Sequence, residues 1–127
     1  MNKLMGIDYG TKRIGIAISD DEGIMAFPKA VFENNGSFFD KLSKLIDEND
    51  ISGIVVGESV DYKMKPNVVM KEINSFCDKL KEKFDVPVYL EPEFLTSHQA
   101  HHIQGKTEML DASAAAIILQ SYIDKQT

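Results

Sequence analysis

Gly6-Ile7-Asp8-Tyr9-Gly10-Thr11-Lys12-Arg13-Ile14-Gly15-Ile16-Ala17-Ile18-Ser19-Asp20 is the stretch on which the fold turns. Two apolar runs flank a short Gly10-Thr11-Lys12 connection, the pattern of two antiparallel strands. One carboxylate, Asp8, stands inside the first run. A buried carboxylate costs free energy unless a partner or a metal compensates it. Strand alternation sets Met5, Ile7 and Tyr9 on one face and Gly6, Asp8 and Gly10 on the other. The Asp8 face is thus nearly bare of side chains and open to something large, as a strand would be that presents a carboxylate to a metal or a phosphate.

Working outward, strands are expected over 4–9, 13–19 and roughly 24–32, the last two joined by Asp20-Asp21-Glu22-Gly23. Pro28 cannot donate to a ladder, which puts the third strand at a sheet edge or bulge. Asn34-Asn35-Gly36-Ser37 is a turn, and Ser37 with Asp40 resembles a capping box that opens a helix carrying Phe38, Leu42, Leu45 and Ile46 as its apolar stripe. Gly53-Ile54-Val55-Val56-Gly57 is the fully apolar kind of strand that is buried on both faces in parallel arrangements. Val69, Ile73, Phe76, Leu80 and Phe84 recur at helical spacing over 66–84, with Pro66 suited to the first turn. A strand over 86–90, a short helix reaching Gln104 and a last helix over 111–124 complete the order. Right-handed crossovers make the later strands parallel to the first. The expected fold is α/β: a mixed five-stranded sheet, three antiparallel strands then two parallel, flanked by helices in a single domain over 1–127.

The totals fit that picture. In 127 residues, 43% apolar and 27% charged, there is room for one core and none for two lobes closing on a cleft. No apolar run approaches the ~20 residues that span a bilayer, and Met1-Asn2-Lys3-Leu4-Met5 runs straight into a strand, so no membrane role and a cytoplasmic location are expected. Cys77 is the only cysteine; its helical-face neighbours read it as a small packed side chain. A net charge of -6 argues against broad non-specific nucleic-acid binding, yet leaves room for a local basic rim.

Three acids stand where chemistry would gather. Asp8 lies on the first strand. Glu93 follows a strand end, where ligands bind in parallel sheets, with Glu91 close by; taken alone, either reads as a solvated loop acid, since Glu is rarely buried without a partner. Asp111 opens the last helix, where a plain N-cap would explain it alone; it also shares a face with Ala115, Ile118 and Tyr122, and a packed-side carboxylate needs a reason. Converging, the three form an all-oxygen set suited to Mg²⁺ or Mn²⁺, the arrangement that serves phosphodiester cleavage. Lys63, Lys65 and Lys71 supply point charges for phosphates, though each also fits a solvated cluster; Lys12 and Arg13 in the first turn join Lys63 and Lys65 as candidate substrate contacts. His98, His101 and His102 have a spacing that could hold Zn²⁺, but no Cys or motif Glu completes a zinc signature.

These residues resemble the YqgF-type family, described as Holliday junction resolvases and as nucleases that trim the 5′ end of pre-16S ribosomal RNA. The matching blocks are residues 6–15 with Ser19-Asp20, then Ile54-Val55-Val56-Gly57, then Glu93 with Leu95-Thr96-Ser97, then Asp111-Ala112-Ser113-Ala114 continuing through Ile117 to Tyr122. They run in order over nearly the whole chain. The resemblance implies a ribonuclease H-like fold, with Asp8, Glu93 and Asp111 as metal-binding catalytic acids and structured RNA, a pre-rRNA above all, or branched DNA as the nucleic-acid partner. Where the family reads Asp-Glu-Arg-Leu-Thr, this chain has Pro92-Glu93-Phe94-Leu95-Thr96, so an acid and an arginine are replaced. Glu58-Ser59-Val60 stands where the family has Leu-Pro and a Gly-rich loop, and the segment between Ser97 and Asp111 is short, with Lys106 in place of a basic cluster.

Two other readings follow. A catalytically weak member that binds RNA or a ribosome-assembly partner would fit the replaced arginine. Gly-Ile-Asp-x-Gly-Thr also resembles the phosphate loop of sugar kinases and actin-like ATP binders, which need a second lobe that this length excludes. No exposed apolar stripe in the sequence marks a dimer face.

Overall fold

Residues 3–10, 12–58, 68–92 and 108–126 are described by a computed structural model, by backbone alone at 58, 68–70, 92 and 108–111. Five strands, β1 (Leu4–Asp8), β2 (Arg13–Ser19), β3 (Ala26–Glu33), β4 (Gly53–Glu58) and β5 (Val88–Pro92), form one sheet in the order β3-β2-β1-β4-β5. The pairs β1/β2 and β2/β3 are antiparallel, and β1/β4 and β4/β5 are parallel. That is the expected mixed sheet, with β1 at its centre. Three helices, α1 (Phe38–Asn49), α2 (Val68–Lys83) and α3 (Glu108–Lys125), pack on it. None of the helices among the described residues is long and apolar enough to cross a membrane. The expected short helix before Gln104, and Pro66, lie outside the described residues.

Alternation divides the core in two. Met5, Ile7, Ile14, Ile16, Ile54 and Val56 face α1 and α2, where they meet Phe38, Leu42, Ile46, Ile73, Phe76 and Leu80. Cys77 is buried in the same layer, and burial pushes its thiol pKa up, away from thiolate chemistry. On the other face, Ala17 and Val55 meet Ala115, Ile118, Leu119 and Ile123 of α3.

Several boundaries differ from expectation for local reasons. The third strand starts at Ala26 because the Asp20 carboxylate takes the Ile24 and Met25 amides, at 2.8 and 3.3 Å, into the preceding turn. These amides hold the Asp20 pKa below its usual value, the Ile24 contact most of all. Pro28 sits on the edge strand beside a bulge: Ile16 pairs with Ala30 and Ala17 with Pro28, leaving Lys29 as the extra residue. β5 begins after Pro87, whose carbonyl accepts from the Ile54 amide at 2.9 Å. The capping box on α1 is not made. Asn35 Oδ1 takes both the Ser37 amide, at 3.0 Å, and the Ser37 hydroxyl, at 2.8 Å, leaving no side-chain cap. Asp50, in the left-handed region at φ 51°, closes the other end with its amide on the Ile46 carbonyl.

What covers the bare face of β1 is α3. A Cβ placed on Gly6 would fall 2.7 Å from Leu119 Cβ and 2.8 Å from the Ala115 carbonyl oxygen. The alanines of the helix and the glycine of the strand thus allow two backbones to approach with almost nothing between them.

Glu91 departs furthest from expectation. It reads as a solvated acid near a strand end, yet it lies within β5, 3% exposed. Its Oε2 accepts from Ser121 Oγ at 2.8 Å and pairs with Lys125 Nζ at 2.7 Å. Both partners belong to α3, so this pair ties the outer parallel strand to the helix.

Two consequences are measurable by urea unfolding. Gly6→Ala should cost about 3 kcal/mol, the upper range for overpacking, because the obstacle includes backbone that cannot rotate away. Lys125→Met should cost about 2 kcal/mol, because it strands a buried carboxylate, whereas Glu91→Gln should cost less, about 1 kcal/mol, because the half-exposed ammonium left behind rehydrates. Equal costs would show that the pair is solvated.

Candidate functional site

Parallel pairing aligns the ends of three strands. Ile7 is level with Val56, and Val56 with Leu90. Continued by one residue, the β1–β4 register sets Asp8 level with Gly57, which pairs with Glu91. Asp8, Gly57 and Glu91 therefore form a row across the sheet, with a glycine between two acids roughly 10 Å apart, two strand spacings. Laterally aligned residues share a face, and Glu91 identifies that face as the α3 side by its contacts with Ser121 and Lys125. Asp8 is half-buried there, at the last position of β1.

The direction of α3 follows from what it touches. Near the start of the sheet, Leu4 and Gly53 line a cavity together with Tyr122, Ile123 and Gln126. One step along β1, Gly6 meets Ala115 and Leu119. The helix thus runs against β1, its later turns over the strand's beginning and its first turn toward the end that carries Asp8. Asp111 precedes Ala115 by about 6 Å of helix, and Asp8 follows Gly6 by about 6.6 Å of strand. The backbone at these two positions is accordingly brought to the same end of the sheet.

The expected start of α3 needs correction. The helix opens at Glu108, so Asp111 is its fourth residue rather than its cap. A signal for this was present: Thr107, of a capping residue type, precedes an acid at 108. Glu93 follows the last residue of β5 and lies outside the described residues, as do Lys63, Lys65, Phe94 and the three histidines. Lys12 on the β1–β2 connection, Arg13 at the start of β2 and Lys71 on α2 are all exposed.

The connection itself is held by a residue read from the sequence only as part of a turn. Asn34, the first residue after β3, donates from Nδ2 to the Gly10 carbonyl at 2.9 Å and to the Tyr9 hydroxyl at 3.2 Å. Its backbone amide donates to the Lys12 carbonyl at 2.9 Å. Gly10 is itself confined, since a Cβ there would collide with the Arg13 carbonyl oxygen.

Among the described residues no three His, Cys, Asp or Glu side chains gather as a metal site would require. Asp8 supplies one hard oxygen donor at the end of β1, of the type that divalent cations take. A thiol set is absent, the sole cysteine being packed beneath the other face.

Comparison with known proteins agrees with this architecture. A protein-family model described as "RuvX: Holliday junction resolvase" matches residues 2–125. A protein of Lawsonia intracellularis named "Putative pre-16S rRNA nuclease" is 36% identical over 133 residues, covering 97% of this chain and 94% of the relative. One of the same name from Nitratidesulfovibrio vulgaris is 35% identical, covering 96% and 93%. Among solved structures, T. thermophilus RuvC in complex with a Holliday junction substrate superposes with a TM-score of 0.63 at 15% identity, covering 99% of this chain and 96% of that one. The fowlpox virus resolvase bound to Holliday junction DNA gives 0.58 at 11% identity, covering 98% of each chain. At these identities the structures establish the ribonuclease H-like fold, while the full-length sequence match establishes the lineage: the chain belongs to the RuvX family of nucleases, the YqgF-type group that its first strand pair and last helix resemble.

Proposed function

We propose that this chain is a divalent-metal-dependent nuclease that hydrolyses phosphodiester bonds in structured RNA, processing the 5′ end of pre-16S rRNA in the cytoplasm, with branched DNA as the alternative substrate. The observation that carries the reading is the course of α3 against β1, which directs the first turn of the helix toward the strand end bearing Asp8. The names of the full-length relatives point to the RNA.

In this reading Asp8, Glu93 and Asp111 hold Mg²⁺ or Mn²⁺. Bound ions of this kind supply a nucleophilic water at neutral pH and charge to stabilise the leaving oxygen. The chain's own contribution is placement. β1 fixes Asp8 from the centre of the sheet, and the glycine–alanine seam fixes the helix that brings Asp111. Lys12, Arg13, Lys63 and Lys65 are the proposed phosphate contacts, the first two following Asp8 on the same hairpin.

A second reading, binding without cleavage, has Phe94 in its favour, since it stands where the family has arginine. The two part on turnover. A labelled pre-16S 5′-leader RNA and a four-way DNA junction, each with Mg²⁺ or Mn²⁺, should be cleaved by the native chain. Asp8→Asn should lower the rate by roughly 10³-fold, the scale of losing one preorganised charged group at a reacting centre. Binding of either substrate by folded, metal-supplied protein with no cleavage would establish the second reading.

A further inference from the structure

We propose that Asn34 is a positioning residue for substrate binding: it locks the β1–β2 connection so that Lys12 and Arg13 stand at a fixed offset from Asp8. The inference rests on the nuclease reading and adds to it a residue outside the proposed acids and phosphate contacts.

Asn34 engages the connection at three places. Its amide takes the Lys12 carbonyl at 2.9 Å, extending the β2–β3 ladder one step past the Arg13–Glu33 pair. Its side chain then crosses to β1's continuation and donates both amide hydrogens, to the Gly10 carbonyl and the Tyr9 hydroxyl. Only a residue with a backbone N–H and a short side-chain NH₂ can do all three. An acid of the same shape would set an acceptor against the Gly10 carbonyl and lose both donations.

Tyr9 carries the constraint onward. Its ring packs on Phe76 of α2 with centroids 4.9 Å apart. The end of β3, the connection and α2 are therefore joined through one side chain. A recess of about 230 Å³ opens beside them, lined in part by Tyr9, Asn34, Ser75 and Lys79. Without Asn34 the connection would still start at Asp8 and end at Arg13, but Gly10 and Lys12 would lose the hydrogen bonds that hold them to the end of β3. Cations that must meet phosphates at a set distance from a reacting centre need such a frame, because freezing a mobile loop on binding costs affinity.

The test measures steady-state cleavage of the better substrate, its equilibrium binding by fluorescence anisotropy and the Mg²⁺ concentration for half-maximal rate. Variants are Asn34→Asp, Asn34→Ser and the double variant Lys12→Ala with Arg13→Ala, alone and combined. Asn34→Asp should raise KM and Kd about tenfold, the effect of losing hydrogen bonds worth somewhat over 1 kcal/mol, with kcat within about twofold and the Mg²⁺ requirement unchanged. Added to the Lys12/Arg13 double variant it should change KM no further, because the groups it positions are gone. Asn34→Ser, with one donor, should fall between, and it carries the same cycle if Asn34→Asp does not fold. A loss that adds in full to the Lys12/Arg13 loss, or that falls on kcat or the Mg²⁺ requirement, would overturn the positioning role. So would variants equal to the native chain, and in that case native cleavage leaves the nuclease reading standing. A native chain that neither binds nor cleaves either substrate overturns both.

Discussion

The approach of α3 to β1 is the constraint on which the rest depends. Gly6 has no Cβ, and the helix above it offers Ala115 and the base of Leu119. Close contact between two backbones maximises dispersion per unit area but tolerates no added atom. It fixes the height of the helix over the sheet and leaves it little freedom to slide. Since β1 is the central strand, both the antiparallel and the parallel halves of the sheet inherit that reference. The Glu91 pair with Ser121 and Lys125 then limits rotation of α3 at its far end by holding it to β5.

The same geometry accounts for how the proposed chemistry is distributed. The two faces of the sheet have different tasks: one carries large side chains against α1 and α2, and the other is stripped at Gly6 and Ala17 to let α3 come close. Stripping leaves room at the strand ends for carboxylates, and the large-residue face supplies the burial that holds the strands in register. Asp8 and Tyr9, successive residues, belong to opposite faces, so one carries the proposed metal chemistry while the other anchors the connection to α2.

Much of this was legible from residues alone, and the gaps have separate causes. Alternation in β1 and β2, the all-apolar β4, Pro28 at the edge and the stripes of α1 and α2 depend on neighbours within one or two turns, and periodicity reports those. Glu91 was misread because its partners lie 30 and more residues further on, and no local pattern reveals a lysine that will arrive from another element. The capping box failed through competition at short range: Asn35 reached the Ser37 amide and hydroxyl first. Asn34 was invisible for a third reason, since an asparagine in a turn is ordinary and its importance depends on which carbonyl faces it.

The seam between β1 and α3 joins the first strand of the chain to its last helix, and that has a consequence for synthesis. About 100 residues separate Asp8 from Glu108, which at ribosomal speeds is roughly 5–20 s of elongation. Through that interval the glycine face of the central strand has no cover, and the chain carries an unfinished apolar surface. The acids proposed to act together are equally far apart in time. Because α3 both covers the glycine of β1 and carries Asp111 toward the end of that strand, closing the core and gathering the proposed acids are one event rather than two.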